Sequence, residues 1–78
     1  MENVKDKVER LKAKAELFLD KDIRVFIKTY NKDFYFDCDI LFVGDLRISF
    51  YCNHERKLGE HFLNWFDIDD IEEYEVKE

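Results

Sequence analysis

Residues 23–52, IRVFIKTYNKDFYFDCDILFVGDLRISFYC, decide the fold, because along this stretch the apolar positions recur at every second residue. Ile23, Val25, Ile27 and Thr29 alternate with Arg24, Phe26, Lys28 and Tyr30, the pattern of a strand with one face turned to a core. Asn31-Lys32 before Asp33 suits a tight two-residue turn, so a hairpin follows. Phe34, Phe36, Cys38, Ile40 and Phe42 then form the core face of a long second strand, with Tyr35, Asp37, Asp39, Leu41 and Val43 opposite. Gly44-Asp45 marks the next turn, and Leu46, Ile48, Phe50 and Cys52 give a third strand. Register follows from the alternation. A turn centred on Asp45 that keeps even-numbered residues inward sets Cys38 opposite Cys52, and the first turn sets Ile27 near Phe36 and Val25 near Cys38.

Upstream the period changes. Val4, Val8, Leu11, Ala15 and Phe18 fall on one stripe of an α-helix over residues 3–19. Asn3 is a good N-cap, and Asp6 places a carboxylate at the positive end of the helix. Downstream, residues 53–60 form a polar connection, and Phe62-Leu63-Asn64-Trp65-Phe66 reads as a short fourth strand. Asp67-Ile68-Asp69-Asp70 has the character of a 3₁₀ turn, and residues 71–76 read as an edge-like fifth strand. The expected architecture is one domain over residues 1–78, mainly β. In it a helix (3–19) lies over one opening of a five-stranded antiparallel SH3-like small barrel (23–76).

At 78 residues there is room for one compact unit, which excludes a multi-domain enzyme. An apolar content of 46%, with eight Phe, four Tyr and one Trp, builds a dense core and leaves aromatic surface that can be completed by a partner chain. Charged residues reach 41%, Pro is absent, and Ser49 and Thr29 are the only hydroxyl residues of their kinds, a balance like that of thermophile proteins. The first residues lack an apolar secretory core, so a cytoplasmic chain with reduced Cys38 and Cys52 is expected. Residues 1–32 hold nine Lys/Arg against six Asp/Glu, and residues 33–78 hold four against thirteen. With a net charge of −6, coating of double-stranded DNA and a membrane partner are not expected. Gly44 and Gly59 stand alone at turns, so no phosphate-cradling loop exists and no nucleotide cofactor is expected.

The order of helix, three long strands, loop and two short strands resembles that of the Sm-like proteins. In that family an Asp and an Asn in the turn between the second and third strands bind a base, and an Arg-Gly pair after the fourth strand completes the pocket. Val43-Gly44-Asp45-Leu46-Arg47-Ile48 places Asp45 at the match for the Asp and Arg47 near that for the Asn, while Phe66-Asp67-Ile68-Asp69 carries no Arg-Gly. The resemblance implies single-stranded RNA as a partner and ring assembly by pairing of the fourth and fifth strands. The segment from Arg56-Lys57-Leu58-Gly59-Glu60 through Ile71-Glu72-Glu73-Tyr74 is also similar to small uncharacterised archaeal proteins, which implies no activity.

Four residues are of soft-metal type: Cys38, Cys52, His54 and His61. Cys52-x-His54 with Cys38 alongside is one zinc reading, and a Cys52 nucleophile with His54 or His61 as base is one catalytic reading. The plainer expectation, which we adopt, is that both cysteines pack in the core and the chain is not an enzyme. The acidic tract Asp67, Asp69, Asp70, Glu72, Glu73 and Glu75 reads as a charged guard on an edge strand. Phe62, Trp65, Phe66 and Tyr74 are the candidate self-assembly residues, and the expected partner is another copy of the chain or another protein. Lys28, Tyr30, Lys32, Asp45, Arg47, Arg56 and Lys57 are the candidates for the alternative, contact with single-stranded RNA.

Overall fold

The computed structural model describes residues 3–75. Helix α1 spans Val4–Asp20, and the Asn3 side chain caps it by accepting from the Asp6 N–H at 2.9 Å. Leu11 and Ala15 are fully buried, with Val8 and Phe18 packed at the margin of the core, so the apolar stripe docks as its spacing predicts. Of the stripe only Val4, at the first turn, stays exposed, while Leu17 and Leu19 lie off the stripe and face outward.

Five antiparallel strands follow: β1 (Val25–Thr29), β2 (Phe34–Val43), β3 (Arg47–Cys52), β4 (Gly59–Asn64) and β5 (Ile68–Glu73). Their order in the sheet is β4-β3-β2-β1-β5. A helix over a small, mainly β, barrel-like sheet is the expected architecture, but the sheet is not closed: β4 and β5 are its two edges and do not pair. The corner between them is closed by a 3₁₀ turn at Trp65–Asp67. Trp65 N–H donates to Leu46 O at 3.2 Å, and Tyr30 N–H donates to Asp67 O at 3.1 Å. The Trp65 indole, 1% exposed, donates from Nε1 to Gly44 O at 2.8 Å. One side chain therefore ties the β2–β3 turn to the β4–β5 crossover. None of the described helices is long and apolar enough to cross a membrane.

Cys38 pairs with Cys52 and Val25 with Cys38, as the alternation predicts. Elsewhere three local features change which residues face inward. The first turn has three residues, with Lys32 N–H bonded to Thr29 O, Lys32 left-handed at φ 65°, and Asp33 N–H held by Thr29 Oγ1. The longer loop shifts the register, so Ile27 meets Tyr35 rather than Phe36. A bulge at Asp37, with φ 55°, takes up the shift before Val25 meets Cys38. Tyr35 is thereby buried, and Phe34 and Phe36 turn outward. A second irregularity between Ile40 and Phe42 sets Phe42 opposite Ser49 and moves Phe42, 62% exposed, to the outer face.

The fourth strand begins at Gly59 and ends at Asn64, so Trp65 and Phe66 lie in the 3₁₀ turn instead of the strand. The reason is local: Asn64 Oδ1 accepts the Phe66 N–H at 3.0 Å and stops the extended run. That places the turn two residues early and starts β5 at Ile68 rather than Ile71; its expected end at Val76 lies outside the described residues.

Candidate interaction surfaces

The outer face of β2, β3 and β4 is built by the pairings Phe42↔Ser49 and Ser49↔Phe62, which put these three side chains in one row. Ser49 is covered by its neighbours, while Phe62 is 57% exposed. Arg47, paired with Asn64 at one end of this face, holds its guanidinium 5.6 Å from the Phe62 ring. Glu60, paired with Tyr51, lies at the other end. Round the corner, Leu46 (70% exposed) and Phe66 (59% exposed) border a groove of about 360 Å³ whose other wall is Val4 and Val8 of α1. Of the residues expected to mediate assembly, Phe62 and Phe66 are therefore at the surface. Tyr74 is half-buried, its N–H bonded to Arg24 O, and Trp65 belongs to the core of the single chain.

A second feature lies at the end of the β1–β2 hairpin. Phe26 stacks on Phe36 at 4.7 Å and packs on Phe34 at 5.9 Å, and the His54 ring stands 5.7 Å from Phe36. With Asp33, Cys52 and Arg56, the rings of Phe34, Phe36 and His54 line a cleft of about 370 Å³. The local cause is the 3₁₀ turn Glu55–Lys57, which His54 caps by accepting the Arg56 N–H at Nδ1. Lys57, at the same cleft, pairs with Asp33 and lies 4.1 Å over the Tyr35 ring.

The candidate RNA-contacting residues do not form one surface. Arg56 and Lys57 meet at the cleft; Asp45 and Arg47 sit near the β2–β3 turn; Lys32 is exposed at the first hairpin turn. Lys28 and Tyr30 share a shallow depression with Lys7, Asp69 and Asp70. There Lys7 donates to Tyr30 Oη and Asp69, and these partners hold its ammonium above the usual pKa. Lys14 bridges to Asp70 at 3.4 Å, so part of the acidic tract on β5 serves to dock the helix.

Cys38 and Cys52 are fully buried, and both thiols donate to Phe36 O, at 3.5 and 3.3 Å. Burial, together with the neighbouring Cys52, pushes the Cys38 thiol pKa strongly up. His61 is placed apart from His54: its Nε2 lies 2.6 Å from Lys57 O, and its ring packs on Tyr35 and Phe50. Among the described residues no three His, Cys, Asp or Glu side chains are placed to hold a metal ion. The alternation rule placed Phe26 outward but missed Phe34 and Phe36 beside it, and the exposure of Phe42. One signal for the first was Asp37, since Asp is among the residues that tolerate a left-handed backbone. Compared with family models, with curated proteins and with solved structures, the chain matches none.

Proposed function

We propose that this protein is a non-enzymatic assembly module that binds protein surfaces, first of all a second copy of itself, through the open β4 edge and the aromatic outer face of β2–β3–β4 that borders it. The observation that supports this is Phe42 and Phe62, each more than half exposed, beside β4, an edge strand whose outer side pairs with no strand among the described residues. The two edges differ. β5 carries Asp69, Asp70, Glu72 and Glu73, which keep other strands away, whereas β4 has no Lys, Pro or run of charge. Solution mass by light scattering, from low micromolar to near-millimolar chain, tests the reading. The mass is expected to rise above that of one chain, and a strict monomer throughout overturns it.

A second reading is favoured by the cleft: an Sm-like protein contacting single-stranded RNA by stacking bases on Phe34, Phe36 and His54, with Arg56 toward phosphate. Asp33 and Glu55 at the same cleft limit the cations available, so the salt dependence corresponds to about one or two phosphates. Titration with a short single-stranded RNA at low salt tests it. Binding lost on Phe36→Ala supports the reading, and no binding removes it.

A further inference from the structure

We infer that two copies associate through β4 alone, edge to edge and antiparallel about a two-fold axis at Phe62. This deepens, and rests on, the assembly reading above. The argument begins with the backbone. Trp65 N–H bonds to Leu46 O across β3 and β4, and in an antiparallel ladder such bonding alternates along the strand. Odd-numbered residues of β4 thus bond to β3, while Glu60, Phe62 and Asn64 turn N–H and C=O to the open edge. Phe62 is at the centre of that exposed set.

A two-fold axis at Phe62 lets its N–H and C=O exchange bonds with those of the partner's Phe62. On the outer face, the row Phe42–Ser49–Phe62 then runs into its own copy as one band across the joined sheets. The same axis brings Asn64 of one chain opposite Glu60 of the other. Arg47, the neighbour of Asn64, comes within two strand spacings of that Glu60, about 10 Å between backbones, which two long side chains span. Among the described residues neither Arg47 nor Glu60 has an ion-pair partner within its own chain. The axis supplies one to each, twice over.

Pairing β4 with β5 instead sets Glu60 against Asp69, Asp70, Glu72 and Glu73. Lys7 and Lys14 of α1 already hold Asp69 and Asp70, and Lys28 stands opposite Asp70 on β1, the side of β5 away from its open edge. Charge therefore selects the symmetric contact over a ring.

Charge reversal and cross-linking test this on the full chain. Arg47→Glu and Glu60→Arg are each expected to weaken association roughly tenfold, and the double variant to restore it. Phe62→Cys, with oxidised glutathione as oxidant, is expected to give a disulfide-linked dimer, since Cα atoms about 5.5 Å apart are within reach of the bond. Leu46→Cys, more exposed than position 62 but away from the axis, is expected to stay unlinked; the native thiols are buried. If the wild-type chain associates but the double variant is not restored, or position 46 links in place of 62, the β4-to-β4 geometry is overturned and the assembly reading stands. A wild-type chain that remains a monomer overturns both.

Discussion

Trp65→Phe removes a side chain that ties the β2–β3 turn to the crossover between the sheet's unpaired edges. Phenylalanine cannot donate to Gly44 O, which the indole reaches at 2.8 Å, and leaving this half-buried carbonyl without its donor costs about 1–3 kcal/mol. Trp65 is 1% exposed, so the smaller ring also leaves roughly 40 Å³ unfilled, about 1 kcal/mol at ~24 cal/mol per Å³. The two effects together cost about 2–4 kcal/mol. A chain of 78 residues has about 4–12 kcal/mol of stability in total, so the loss is a large share of it and visible in an unfolding curve. Urea unfolding followed by far-ultraviolet circular dichroism suits the measurement, because the substitution deletes the only tryptophan. It is run at low chain concentration to keep association out of the result. The midpoint is expected to fall with the slope unchanged. Phe66→Ala, at the exposed neighbour, is expected to move it by less than about 0.5 kcal/mol. A loss below about 0.5 kcal/mol for Trp65→Phe refutes the idea that this corner is held by the indole.

Three further outcomes follow from particular positions. Tyr35→Ala is expected to cost about 3–5 kcal/mol and Phe36→Ala about 1 kcal/mol, the reverse of what unbroken alternation predicts; paired urea curves decide it. Gly59→Ala is expected to cost about 1–3 kcal/mol from backbone strain alone, since Gly59 sits at φ 125° and no atom lies within 4 Å of the added Cβ; thermal unfolding reads this. The Cys38 thiol stays protonated in the folded chain while the unfolded thiol ionises near pH 8.5, so stability is fully present below that pH and falls as pH rises above it. Cys38→Ala is expected to flatten that alkaline decline in urea titrations.

The parts of the fold that could be read in advance are those where periodicity was uninterrupted. The stripe from Val8 to Phe18 and the cap at Asn3 needed no tertiary information. The pairing of Cys38 with Cys52 followed from parity, and is kept because Cys38 lies on the stretch of β2 between the Asp37 bulge and the irregularity after Ile40. Beyond those points parity failed. One inserted residue reverses every following side chain, so Tyr35 and Phe36 exchanged roles at the Asp37 bulge, and Phe42 left the core after Ile40. Both moves leave an aromatic ring in water, which is the feature that now bears on function. Trp65 misled for another reason: hydropathy places an aromatic residue in a strand or at an interface, but Asn64 ends the strand and Gly44 O takes the indole. That preference depends on a carbonyl twenty-one residues away.

Amide hydrogen exchange at Phe62, measured residue by residue as chain concentration is raised, tests the symmetric β4 contact most directly. The Phe62 N–H lies on the open side of β4, so it is expected to exchange fast in dilute chain and to slow as the mass doubles, with amides of β5 unchanged. Fast exchange at Phe62 in a sample whose mass has doubled, or protection gained on β5 in its place, contradicts it.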